Sequence, residues 1–206
     1  MRKGMLFVVS GFSGSGKGTV MKWFREREEY ALSVSCTSRK PREGEVDGKD
    51  YFFIDHEDFV QKASEGYFLE HAIYTDHGYG TPAGFVRENL EAGKDVILEI
   101  ELQGAMQVKE TYPDTVLIFL TAPSAEELKK RLIERGTETI EQIRKRLKRA
   151  AEESLFMDQY DYIVVNDDLN TCIREVHELM QSLHARSSRQ KELISQLQRD
   201  LPLLQI

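Results

Sequence analysis

Met5-Leu6-Phe7-Val8-Val9 runs directly into Ser10-Gly11-Phe12-Ser13-Gly14-Ser15-Gly16-Lys17-Gly18-Thr19, after which apolar Val20, Trp23 and Phe24 recur at helical spacing. Strand, glycine-rich turn and helix in that order are the setting of a phosphate-binding loop. Glycines let the backbone bend until successive N–H groups face one point, the helix N-terminus adds a partial positive charge, and Lys17 reaches the β and γ phosphates of a triphosphate. Residues Gly11 through Thr19 are therefore the expected triphosphate-binding segment. Gly18 stands where Ser or Thr usually contacts magnesium, so the metal contact expected is a water-mediated one through Thr19.

Three further apolar runs, Val96 to Ile100, Val116 to Leu120 and Tyr162 to Val165, lack polar alternation and read as parallel strands buried on both faces. Helical spacing fills the intervals over Gly18 to Arg27, Pro82 to Leu90, Leu102 to Tyr112 and Ser124 to Arg135. Ser124 with Glu127 and Thr139 with Gln142 have the form of capping boxes. Such alternation predicts an α/β fold. Two segments interrupt it. Ser33 to Tyr79, rich in Gly, Tyr, Arg, Asp and Glu, reads as a small β-rich insert. Glu126 to Met157 is almost continuously charged, which on charge alone describes a solvated helix pair. Asn170 to Leu204 carries apolar Ile173, Val176, Met180 and Leu183, the mark of a helix on the core, then an amphipathic tail that could contact another subunit.

The 206 residues suffice for one well-packed core. Lys plus Arg number 28 against 35 Asp plus Glu, a net charge of −7, which argues against a broad nucleic-acid surface. No apolar run approaches the ~18 residues that span a bilayer, and no leader pattern is seen, so the expectation is a cytoplasmic protein without a membrane partner. Cys36 and Cys172 lack disulfide or zinc spacing, and the five histidines form no ligand set.

A second constellation follows the loop: Ser35-Cys36-Thr37-Ser38-Arg39-Lys40-Pro41-Arg42, then Gly44-Glu45-Val46-Asp47-Gly48-Lys49-Asp50-Tyr51. On their own, Arg39 and Arg42 also suit ordinary surface charges. With Gly66-Tyr67-Phe68-Leu69-Glu70, Tyr79-Gly80-Thr81, Glu99-Ile100-Glu101-Leu102-Gln103-Gly104, Arg135-Gly136-Thr137-Glu138-Thr139 and Asn166-Asp167-Asp168-Leu169, the chain resembles the guanylate kinase family over roughly residues 4 to 180. The Gly-Lys-Gly-Thr ending of the loop likewise resembles nucleoside monophosphate kinases.

The resemblance implies a P-loop, three-layer α/β core (1–33, 80–125 and 159–206) carrying an acceptor-binding β-rich insert (34–79) and a helical lid (126–158). It implies transfer of the γ-phosphoryl group of ATP to GMP, and to dGMP, with magnesium. Arg39, Arg42, Tyr51 and Tyr79 would hold the acceptor phosphate, since guanidinium forks suit a dianion. Ser35, Glu70, Thr81 and Glu101 would read the base. Guanine N1 and its exocyclic amine are donors that want a carboxylate, and O6 is an acceptor that wants a hydroxyl. At Glu101 the family more commonly has Asp. Asn166 joins the ATP site, and Arg131, Arg135 and Arg146 become lid arginines that act with Lys17 and Arg39 in catalysis. Lys129, Lys130, Lys145, Lys148 and Arg149 are left as solvated surface charges.

Two other readings share features of this sequence. A kinase for another small acceptor would share the loop but not the polarity of Ser35, Glu70 and Thr81. A catalytically silent binding module built on the same family would have a degraded loop or lid, whereas Gly11, Gly16, Lys17 and the lid arginines are all present.

Overall fold

The computed structural model describes residues 3–74, 76–136 and 138–204, with Tyr74 described by its backbone alone. Arg2, Thr137 and Ile206, each part of a stretch read above, lie outside the described residues. The strands are β1 (Leu6–Gly11), β2 (Tyr30–Leu32), β3 (Cys36–Thr37), β4 (Phe52–Phe53), β5 (Phe68–Tyr74), β6 (His77–Pro82), β7 (Asp95–Leu98), β8 (Val116–Thr121) and β9 (Tyr162–Val165). The helices are α1 (Lys17–Arg25), α2 (His56–Ser64), α3 (Ala83–Glu91), α4 (Leu102–Thr111), α5 (Ala125–Glu134), α6 (Ile140–Ser154), α7 (Leu169–Leu183) and α8 (Lys191–Asp200).

Five strands form an all-parallel sheet in the order β2-β7-β1-β8-β9. Alternate side chains of these apolar strands supply two cores. Phe7, Val9, Ile97, Ile118 and Leu120 pack with Val20 and Phe24 of α1 and Val176 and Met180 of α7. Leu6, Val8, Val96, Leu98 and Leu117 face the other way, onto Val86 and Leu90 of α3, Ala105 and Val108 of α4, and Leu128 of α5. Two helical layers thus enclose the sheet, the three-layer arrangement expected for strands apolar on both faces. From β1 the chain goes to β2 on one side and later returns to β8 on the other, so the carboxyl end of β1 is the topological switch point where such sheets bind ligands.

The sheet departs from the sequence reading at its two edges. Strand β2 spans only three residues, too few to show a hydrophobic period. Strand β9 is not buried on both faces: Val164 joins the core, whereas Ile163 and Val165 are 47% and 45% exposed. An edge strand borders one neighbour only, and here one of its faces stays uncovered.

A second sheet, β4-β3-β6-β5, carries the segment between β2 and α3. Its strand β6 runs on to Pro82, three residues past the boundary drawn from sequence. Phe59 of α2 and Phe68 stack over it at 5.0 Å, with Cys36 completing a small third core. Gly78 and Gly80 are strand residues because a Cβ at either would meet those rings, at 2.4 and 2.8 Å.

Cap chemistry fixes the helix starts. Asp55, Ser124, Thr139 and Asp168 each accept a backbone N–H of the first turn. Only Thr139 with Gln142 forms a full capping box; Glu127 turns its carboxylate to Arg131 and Lys130 instead. Helix α7 packs on the core and is anchored at its end, where His184 Nε2 lies 2.8 Å from Asp95 Oδ2 and Met5 N donates to Asp95 Oδ1. Helix α8 carries Leu193, Ile194 and Leu197 on its exposed surface. Burial raises the thiols of Cys36 and Cys172 to about 11 each, so both are inert core residues.

Candidate active site

The glycine loop closes on itself at the carboxyl end of β1. Ser15 N donates to Phe12 O at 3.0 Å, and Gly16 adopts a left-handed conformation (φ 86°) as the N-cap of α1. A side chain at Gly16 would meet Asn166 Nδ2 at 2.3 Å, and one at Gly11 would meet the Leu120 carbonyl oxygen at 2.3 Å. Both glycines are thus required by close approach. Asn166 Nδ2 donates to Ser15 O at 2.7 Å, so this buried amide splints the loop. The Phe12 ring lies edge-on against Phe119 at 4.8 Å in the core, which leaves only its backbone to line the loop. Ser15 is fully buried, and its Oγ has no hydrogen-bond partner among the described residues. Gly18 and Thr19 lie exposed in the first turn of α1, with open space around Gly18.

Lys17 Nζ is 2.5 Å from Glu99 Oε1, just beyond the end of β7. The same stretch is tied to β1, because Ser10 Oγ donates to Ile100 O at 2.7 Å. Tyr160 meets Phe119 edge-on at 5.0 Å, and burial pushes its hydroxyl up to about 12.

In the second sheet, β5 and β6 bring Glu70 and Thr81 together, with Ser35 just before β3 beside them. Thr81 Oγ1 donates to Glu70 Oε1 at 2.6 Å, and Ser35 Oγ lies 3.4 Å from Thr81 Oγ1. Glu70 is 6% exposed, and burial raises its carboxyl above the usual glutamate value despite the Thr81 hydrogen bond. Its other oxygen rests against α4: a Cβ on Gly104 would sit 2.6 Å from Glu70 Oε2. Glu101, by contrast, is the exposed N-cap residue of α4, and its Oε2 accepts from Arg149 Nη2 at 2.5 Å.

Arg39 forms a two-pronged pair with Glu45, Nη1 to Oε2 and Nη2 to Oε1, both 2.8 Å. That pair raises the guanidinium's pKa and holds the Glu45 carboxyl below its usual value. Tyr51 lines the same place, 5.9 Å from Tyr79 and 5.3 Å from the Arg39 guanidinium. Arg42 is exposed, and its backbone N–H donates to Glu45 Oε2 at 2.7 Å.

Of the three expected arginines, α6 brings Arg146 to the loop and α5 brings Arg131 to Asn166, which splints it. Arg131 donates from Nε to Glu127 at 2.9 Å and from Nη1 to Asn166 O at 2.8 Å. Arg146 donates to Ser13 Oγ and pairs with Glu138 at 2.5 Å. Arg135 lies exposed at the C-cap of α5, outside this set of contacts.

Arg149 is not a solvated surface charge: it bridges Glu101 and Glu153. Three residues after Arg146, it lies on the same helical face, which is the signal that reading charge runs in bulk conceals. Glu99, Glu45, Glu138 and Gly104 likewise carry no role legible in the sequence. Gly104 alone was marked by a local oddity, a glycine inside a helix.

The site residues are a splinted glycine loop and a carboxylate–hydroxyl cluster around the buried Glu70 and Thr81. Lys17, Arg39, Arg131, Arg146 and Arg149 each rest on a carboxylate. Exchanging those carboxylates for phosphate oxygens preserves charge-assisted hydrogen bonds, which suits a site for two phosphorylated ligands.

A family model described as guanylate kinase matches residues 3–183. A guanylate kinase of Caldanaerobacter subterraneus subsp. tengcongensis is 48% identical over 193 residues, 93% of this chain and 94% of the relative. One from Clostridioides difficile is 49% identical over 195 residues, 94% of this chain and 95% of that protein. Among solved structures, a guanylate kinase from Anaplasma phagocytophilum superposes with a TM-score of 0.82 at 32% identity, covering 99% of this chain and 98% of the other.

Proposed function

The chain belongs to the guanylate kinase family, and on that premise we propose how its residues share the work of moving the γ-phosphoryl group of ATP to GMP, giving ADP and GDP. The reading assigns ATP to the loop from Gly11 to Thr19 with Asn166, and GMP to the cluster of Ser35, Glu70 and Thr81 with Arg39, Arg42, Tyr51 and Tyr79. The observation that carries it is the Glu70–Thr81–Ser35 chain, with Glu70 and Thr81 buried. Its carboxylate accepts from guanine N1 and the exocyclic amine, and the Ser35 hydroxyl can donate to O6 while Thr81 spends its proton on Glu70. Adenine presents the opposite polarity and would leave Glu70 buried without donors, a mismatch that rejects wrong bases by about 10⁴-fold or more.

In-line transfer needs little covalent help, because the acceptor phosphate oxygen is already ionised. The task is to align two polyanions and offset their repulsion. Loop amides and Lys17 hold the β and γ phosphates, Arg39 and Arg42 fix GMP, and Arg131, Arg135 and Arg146 close over the transferring group as part of a lid spanning 126–158. Residues 34–79, extended to Pro82 where β6 ends, form the acceptor subdomain of this scheme, and closure excludes water that would otherwise hydrolyse ATP.

Magnesium fits the hard oxygens near the loop. No group of three or more His, Cys, Asp or Glu side chains among the described residues could hold an ion unaided. That suits an ion carried mainly by nucleotide phosphates and water, with the exposed Thr19 hydroxyl and the Glu99 and Glu101 carboxylates alongside. When bound, it neutralises charge developing on the phosphates.

No helix among the described residues is long and apolar enough to cross a membrane. A cytoplasmic site of action, independence from nucleic acid, tolerance of dGMP and a self-associating α8 complete the proposal, the second supported by the net charge of −7. Calorimetric titration of GMP into wild type and Glu70→Gln tests the assignment. The account expects GMP affinity to fall by two orders of magnitude or more, on the scale of an unmatched buried polar group, with ATP affinity kept. Equal GMP affinity in both proteins overturns Glu70 as base reader.

A further inference from the structure

One face of helix α6 makes two contacts that are distant in sequence. Arg146 donates to Ser13 of the triphosphate loop, and Arg149, one turn on, donates from Nη2 to Glu101 at 2.5 Å. Arg149 is also braced within its own helix, its Nε donating to Glu153 Oε1 at 2.7 Å. Residues three apart on a helix are surface neighbours, so the two arginines move together. Glu101 in turn caps α4, and Gly104 in the first turn of α4 carries the surface on which Glu70 Oε2 rests. A pull on Glu101 is therefore a pull on the element that backs the base-reading carboxylate.

We infer that Arg149 is a positioning residue for phosphoryl transfer, the acceptor-side anchor of the lid, holding α6 to Glu101 while Arg146 holds it to the triphosphate loop. The inference rests on reading 126–158 as a lid. Its consequence is that the lid takes its pose from both the triphosphate loop and α4. Without Arg149, α6 keeps the Ser13 contact and the core packing of Ala150 but loses its tie to Glu101, and the lid arginines meet the transferring group less often. Glu153 serves as the brace that pre-sets the Arg149 fork.

The Arg149 and Glu101 side chains are 33% and 58% exposed, so the pair lies in the weak, screened regime. A contact of that kind changes rates by about 1.4- to 5-fold. A double-mutant cycle is the appropriate instrument: Arg149→Gln, Glu101→Gln and the double variant, assayed for kcat and for the KM of each substrate. Arg149→Gln should lower kcat/KM for GMP by that factor at low salt and leave the KM for ATP in place. The double variant should be no worse than Glu101→Gln alone. Arg149→Glu, which faces Glu101 and Glu153 with like charge, should lose more activity than Arg149→Gln and recover with salt. Thermal melts of each variant separate these effects from misfolding.

Multiplicative losses in the double variant, or wild-type kinetics in Arg149→Gln and Arg149→Glu, overturn the anchor. If Arg146→Gln is silent as well, the lid reading has failed and not only the role of Arg149. Strong loss in Arg146→Gln beside a silent Arg149→Gln leaves the lid standing and removes the anchor alone.

Discussion

Replacing Gly104 by alanine should damage GMP turnover from a position that need not touch either substrate. A helical Gly→Ala change ordinarily stabilises by about 0.5–1 kcal/mol. At Gly104 the new methyl would sit 2.6 Å from Glu70 Oε2 and 3.1 Å from Glu70 Cδ. An ordinary contact needs ~3.5 Å, so carboxylate and methyl must part by about 0.9 Å. Glu70 cannot simply swing away, being buried and held by Thr81 at 2.6 Å. A displacement of ~1 Å in a positioning group lowers rates by about 10²-fold. Steady-state assays at saturating ATP should therefore show kcat/KM for GMP down by one to two orders of magnitude, with the KM for ATP unchanged. Weakening the Thr81 hydrogen bond to a buried carboxylate costs about 1–3 kcal/mol and outweighs the helical gain, so Tm should fall by a few degrees. Gly84→Ala in α3 is the control, since nothing lies within 4 Å of its would-be Cβ. It should raise Tm slightly and leave kinetics alone. Wild-type kcat/KM for GMP in Gly104→Ala would refute the placement of Glu70 in the acceptor site.

Three other predictions follow from the same geometry. Lys17→Ala removes the only cationic side chain of the glycine loop and should lower kcat by at least about 10²-fold in a coupled ADP-release assay. Asn166→Ala strips the buried Ser15 carbonyl of its donor. It should cost about 1–3 kcal/mol in urea denaturation and raise the KM for ATP more than that for GMP. Because burial raises the Glu70 carboxyl, acid should protonate it before an exposed glutamate, so kcat/KM for GMP should begin to fall at a pH above the ordinary glutamate value of 4.5. The stability effect has the opposite sign. Between the ordinary and raised values the folded state binds more protons than the unfolded one, so wild type gains stability relative to Glu70→Gln as pH falls through that window.

The core was legible because its strands are apolar on both faces and its helices carry their own start signals. The run Tyr162 to Val165 coincides with β9, and Thr139 with Gln142 marks the start of α6. What stayed hidden depends on tertiary placement. Strand β2 is too short for a period, and β9 looks as apolar as a central strand while lying at an edge. The site divides in the same way. Gly11, Gly16 and Lys17 announce themselves by spacing, because backbone geometry imposes it. Glu70 is an ordinary glutamate in sequence and becomes special only through burial beside Thr81 and Gly104. The carboxylates that hold the cations, Glu99, Glu45 and Glu138, carry no local pattern at all. Arg149 reads as one charge in a charged helix until its reach to Glu101, 48 residues away, is seen.

The most direct test of the account is ADP release with ATP and magnesium against GMP, dGMP, AMP, CMP and UMP, with a no-acceptor blank. The account predicts turnover with GMP and dGMP and a preference over AMP of about 10⁴-fold or more, the discrimination expected of a buried carboxylate matched to guanine. Comparable turnover with AMP or a pyrimidine would contradict the base-reading role of Ser35, Glu70 and Thr81, and no turnover with any acceptor would contradict the kinase itself.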